Sequence, residues 1–202
     1  MMKKLLLLAV LTGAMPDLSL AQAIAYPTAK VVAEFDRTCS GVSDVTDLQK
    51  RAKQRGWQQV SPAVESDVGK MIAEMRSESG DLLIRQTYDL LFVLRHVVAD
   101  RVLWLVISDM HVPDSDRLQS QRSCAIFDEG APEISEAAVS QIVGGEPNVN
   151  RTQFGFQYYW DPAVTKDASY TAVVYCNSFC PDVVGLKFEA SLMDWKDGQH
   201  AW

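Results

Sequence analysis

The densest group of residues able to do chemistry is Asp109-Met110-His111, followed by Asp114 and Asp116. Carboxylates spaced along a loop can converge their oxygens on a hard cation. A twelve-residue calcium loop, however, needs glycine at its sixth position and glutamate at its twelfth. Counted from Asp109, those positions hold Asp114 and Ser120. The pattern fits a solvated acidic loop, and no metal or other cofactor is expected. His96, His111 and His200 are the only histidines, so a zinc site would have to recruit carboxylates or cysteines from distant segments. The sequence contains no G-x-S-x-G elbow, H-E-x-x-H, P-loop or G-x-G-x-x-G. A Ser/His/Asp triad assembled from distant positions leaves no local signature, so a hydrolase with a non-contiguous site is the second reading.

Phe154, Phe156, Tyr158 and Trp160 alternate with Gly155, Gln157 and Tyr159. On one face of a strand such a row could stack on sugar rings or a peptide. It is equally what a sheet needs in order to pack against helices, and core packing is expected. Gln157 and Tyr159 then point the other way and, with His111, form the candidate binding surface. Asn150-Arg151-Thr152 matches a glycosylation sequon that a bacterial chain would leave unused.

All four cysteines, Cys39, Cys124, Cys176 and Cys180, follow the N-terminal apolar segment. An even number in an exported chain points to two disulfides, with three connectivities open. A tight turn could close the segment Cys176-Asn-Ser-Phe-Cys180, leaving Cys39 and Cys124 to pair, and this arrangement is preferred. Chain-entropy reasoning gives the long loop roughly 4–5 kcal/mol and the short one about 2. The run Cys176-x-x-x-Cys180-Pro181 also resembles the copper loop of Sco-type thioredoxin-fold proteins. That family carries most of its fold and a ligand histidine downstream of the loop. Here 22 residues follow Cys180 and His200 is the only later histidine, so a structural staple is expected instead.

The first 23 residues read as an export signal. Met1-Met2-Lys3-Lys4 is cationic, Leu5 to Leu11 is apolar, and Ala21-Gln22-Ala23 offers small residues at −3 and −1 of a cleavage site. The apolar run is far short of the roughly 20 residues that span a bilayer. The 202 residues carry 26 acidic against 19 basic side chains, a net −7. Loss of a signal holding Lys3, Lys4 and Asp17 would leave 179 residues at −8. That balance opposes a nucleic-acid footprint, which needs a basic face. No membrane span is expected after cleavage, since Val102 to Ile107 reads as a buried strand. The expected location is the periplasm of a Gram-negative bacterium, or outside the cell.

Residues 24–202 are expected to form one domain. Helices are predicted over Ala29–Arg37, from Ser43 or Thr46 as cap to Arg55, over Ser66–Arg76, and over Pro132–Val143. Gly56 stops the second helix, and Trp57 can fold back on it. Leu82–His96 and Val97–Ile107 read as strand, turn, strand around Ala99-Asp100-Arg101, with a helix over Leu82–Val98 as the alternative. His111–Gln121 reads as loop and Ser123–Asp128 as a short strand. Thr152–Trp160, Tyr170–Cys176 and Val183–Met193 form an antiparallel meander. The expected class is α+β, with N-terminal helices packed on a mostly antiparallel sheet.

The order Phe35-x-x-Thr38-Cys39, a helix, Gly56-Trp57, strands, Ser123-Cys124 and a helix ending at Gly144 resembles an uncharacterised family of small exported proteobacterial proteins. The resemblance covers roughly residues 31–147. It implies an envelope location and a Cys39–Cys124 pairing, and no activity. Cys176 and Cys180 depart from the pattern. The leading expectation is a non-enzymatic binding or interaction module for a protein or envelope polymer. Its acidity would suit a basic partner such as a cationic lysozyme.

Overall fold

The structure is a computed structural model that describes residues 26–76, 87–112, 118–134, 137–138, 140, 145–152, 155–160, 163, 167–176 and 185–196. The proposed signal segment, Asp114, Asp116, Cys180 and His200 lie outside those residues. Among the described residues the fold is α+β, with three assigned helices and an eight-stranded antiparallel sheet that dominates it.

Helix α1, Thr28–Cys39, buries Val31, Val32, Phe35, Thr38 and Cys39, a stripe at helical spacing. Helix α2, Val45–Gln54, buries Val45, Leu48 and Ala52. Its cap is Asp44, not Ser43 or Thr46: the Asp47 N–H donates to the Asp44 carboxylate at 2.9 Å. At the other end Gly56 takes φ +91°, and the Gly56 and Trp57 N–H groups donate to Lys53 and Ala52 carbonyls. That two-bond closure turns Trp57 back into the core, where it is fully buried.

A two-residue strand β1, Gln58–Gln59, follows, then helix α3, Asp67–Arg76. Strands β2 (Thr87–Val98) and β3 (Arg101–His111) form a hairpin closed by Ala99 and Asp100, both at positive φ, as a two-residue turn of primed type requires. The helical alternative for this segment is thereby replaced by strand. Strand β4, Leu118–Glu129, is twice the length the sequence suggests, and β3 reaches His111, so much of the expected 111–121 loop is paired backbone. Helical residues recur at Ala137, Ala138 and Ser140, so the helices are not all N-terminal.

The run expected as strand over Thr152–Trp160 contains β6 (Gly155–Trp160), and a further strand, β5 (Asn148–Thr152), precedes it and pairs with it antiparallel. Strands β7 (Tyr170–Cys176) and β8 (Gly185–Trp195) complete the meander. The sheet order is β1-β2-β3-β4-β8-β7-β6-β5, so β8 returns to pair with β4 and joins two meanders.

Strand alternation gives the sheet two faces with different covers. On the first, α1 and α2 pack over Leu94, Leu103, Leu105, Ile107, Ile126, Phe188 and the row Phe156, Tyr158, Trp160, which is core. The Cys39–Cys124 disulfide pins α1 to β4 through this layer. Cys176 is also disulfide-bonded. Glu34, buried on α1, accepts from Thr38, Trp57 Nε1 and twice from Arg55, tying α1 to the end of α2. Burial alone would raise its carboxyl, but the Arg55, Trp57 and Thr38 hydrogen bonds and the Arg55 charge bring it below the ordinary value. On the second face α3 lays Val68, Met71 and Ile72 on Val93, Val106, Ala125 and Phe127.

Candidate functional site

Helix α3 is fixed at its N-terminal end. The Val68 N–H donates to Glu129 Oε1 at 2.8 Å, and Trp104 Nε1 donates to the other Glu129 oxygen at 3.1 Å. A carboxylate is stabilised there by unpaired N–H groups and the helix dipole. Gly69 is required for the close approach: a Cβ would stand 1.9 Å from the Ala63 carbonyl oxygen.

Beside α3, on the second sheet face, lies a cavity of about 260 Å³. Met71 and Met75 come from α3; Val106, Ser108 and Met110 from β3; Gln121, Ser123, Ala125 and Phe127 from β4. Tyr88 of β2 and Lys187 and Glu189 of β8 complete it. The lining is therefore mixed, with apolar and thioether side chains beside hydroxyl, amide, ammonium and carboxylate groups. Register explains the gathering: Ser108 lies opposite Ser123, and Ser123 opposite Ser191, across three neighbouring strands.

The polar groups form a network around Glu189 and a separate serine pair. Glu189, 9% exposed, accepts from Lys187 Nζ at 2.8 Å, Ser191 Oγ at 2.9 Å and Tyr170 OH at 3.0 Å. Gln121 Nε2 donates to Ser191 Oγ at 3.2 Å, and the Ser108 and Ser123 hydroxyls share a 2.7 Å bond. Burial alone would raise the Glu189 carboxyl. The Lys187 charge and hydrogen bond, with Ser191 and Tyr170, hold it instead below the ordinary value. Burial, and then the Glu189 charge, push the Tyr170 hydroxyl well above the usual phenol range. These shifts favour the charged carboxylate at Glu189 and the protonated phenol at Tyr170.

The residues singled out from sequence fall differently. Gln157 and Tyr159 lie on this second face: Tyr159 is opposite Ala172, and Ala172 opposite Glu189. Both are half-buried and neither lines the cavity. His111, exposed at the end of β3, alternates onto the other face from Met110 and is not brought to them. Asp109 is in β3 and pairs with Arg122 at 3.5 Å, so it is not part of an open acidic loop. His96 packs against the Trp57 indole with ring centroids 5.4 Å apart. Among the described residues no three His, Cys, Asp or Glu are placed to hold a metal ion, and no helix is long and apolar enough to cross a membrane.

Sequence reading passed over Lys187, Glu189, Ser191, Gln121, Ser123 and Ser108. A signal was present: Lys187-x-Glu189-x-Ser191 sets polar groups two apart with apolar Phe188 and Ala190 between them, and therefore on one face. Compared with known proteins, the chain matches no family model, no curated protein and no solved structure.

Proposed function

We propose that this protein is a non-enzymatic binding module of the bacterial envelope. In this reading it is sent out by residues 1–23 and takes a group of a protein or envelope polymer into the cavity beside α3. The observation carrying this reading is the cavity itself. Concave sites with an apolar lining and a few converging polar groups are the usual form of a binding pocket. At about 260 Å³ it suits one side-chain-sized or sugar-sized group. The apolar part of that group would lie on Met71, Met75 and Phe127, and its polar part would face Ser108, Ser123 and Lys187. The net charge of −7 favours a basic partner over a polyanion. The disulfide agrees with an oxidising compartment.

Filling the cavity from its half-buried rim, with Gln121→Trp, tests the reading. The wild type and this variant are used to recover partners from a periplasmic extract, identified by mass spectrometry, while generic ester and peptide turnover is measured. A basic protein or polymer fragment held by the wild type and lost by the variant is the expected result. Equal retention by both, or turnover that the substitution abolishes, would overturn it.

A further inference from the structure

The methionines are not scattered. Four of the seven follow residue 25, namely Met71, Met75, Met110 and Met193. Met71, Met75 and Met110 line the same cavity, and Met193 lies opposite Gln121 on the same sheet face. The larger core on the first face contains no methionine among its described residues. Met71 and Met75 are one turn apart on the sheet-facing side of α3, a spacing that places two side chains on one patch. Met110 reaches the cavity from a different element.

We propose that Met71, Met75 and Met110 form a binding site for a soft monovalent cation, Cu(I). Thioethers are neutral, polarisable donors that select Cu(I) over harder ions, and they bind without losing a proton. The stronger soft ligand, thiolate, is not offered by Cys39, Cys124 or Cys176, which are all disulfide-bonded. Methionine often serves merely to fill gaps in cores. Here three flexible side chains border an open volume of about 260 Å³ instead of closing it. Glu189 and Lys187 in the same cavity are paired at 2.8 Å and offset each other's charge, which leaves the thioethers as the donors. The inference shares its cavity with the proposed binding function but does not depend on that ligand.

The test is anaerobic titration of the full chain with Cu(I) against a chromogenic chelator, repeated with Ag(I) as a redox-inert substitute. Leucine conserves the volume of methionine and removes only the sulfur, so M71L/M75L/M110L should keep its fold, checked by circular dichroism. The wild type is expected to withdraw one equivalent of either ion, and the triple variant to bind at least about tenfold more weakly, a difference of about 1.4 kcal/mol. Equal competition by the two proteins, or no withdrawal by the wild type, would overturn the site. The two readings fail separately because different assays read them: ion withdrawal from a chelator here, and recovery of a partner from extract there.

Discussion

Replacing Glu189 by glutamine removes a charge from the most connected residue of the cavity. The amide carbonyl can still accept from Tyr170 and Ser191, but the Lys187 ammonium loses its counter-ion. Breaking a buried ion pair from one side costs about 3–5 kcal/mol. The Lys187 side chain is 23% exposed and can swing its head toward water, so about 2–3 kcal/mol is expected. Urea unfolding at pH 7 should show E189Q with a lowered midpoint and an unchanged slope. Adding Lys187→Met removes the ammonium that has lost the Glu189 charge, and K187M/E189Q should recover part of the loss. The pH dependence has a definite sign. A carboxyl held below its ordinary 4.5 in the folded chain contributes stability that is complete above that value and is lost as the pH falls through the folded one. Wild-type stability should therefore decline in acid, and E189Q should decline less, the remaining slope coming from Glu34, which is lowered in the same direction. An unchanged midpoint for E189Q, or an acid profile identical to wild type, would refute the assignment of Glu189 as a buried, paired carboxylate.

Two further outcomes are expected. C39A/C124A, which opens a loop with a sequence separation of 85, should lose about 4–5 kcal/mol in oxidised urea titrations, and a loss below about 1 would show that the crosslink contributes little. Glu129→Ala deletes the acceptor for Val68 N–H and Trp104 Nε1 and should cost about 1–3 kcal/mol. Its amide exchange should quicken over 67–76 and stay slow in β3 and β4, and a uniform change along the chain would count against a local clamp.

The first two helices were legible because their apolar spacing and stop signals agree: Val31, Val32 and Phe35 on one, Leu48, Ala52 and Gly56 on the other. Strand β7 was read with its full bounds, because Tyr170 to Cys176 is β-rich throughout. Strand β4 was cut short because Leu-Gln-Ser-Gln-Arg looks like loop. Backbone pairing is indifferent to side-chain polarity, though, and those residues are bonded to β3 and β8 on either side. Strand β5 was not legible because Asn-Val-Asn-Arg-Thr is mostly polar and turn-like, and it is strand only through its pairing with β6. The cavity was not legible. Its charged groups are in place only because β8 returns to lie against β4, bringing Lys187 and Glu189 beside Ala125 and Phe127 from some sixty residues earlier, and nothing local encodes that pairing.

The same pairing sets an order of assembly. Strands β2, β3 and β4 are successive neighbours and can zip by local closure as the chain emerges, whereas β8 must wait for the whole 148–176 meander. Until then β4 is an open edge whose N–H and C=O groups, from Leu118 to Glu129, can template a foreign strand. Cys39 and Cys124 are both already present at that stage, so oxidation can lock α1 against β4 before its final partner arrives. The crosslink then holds α1 and the first strands together while β8 is still to come, and its absence would prolong the life of the open edge, to be felt as aggregation during refolding as well as lost equilibrium stability.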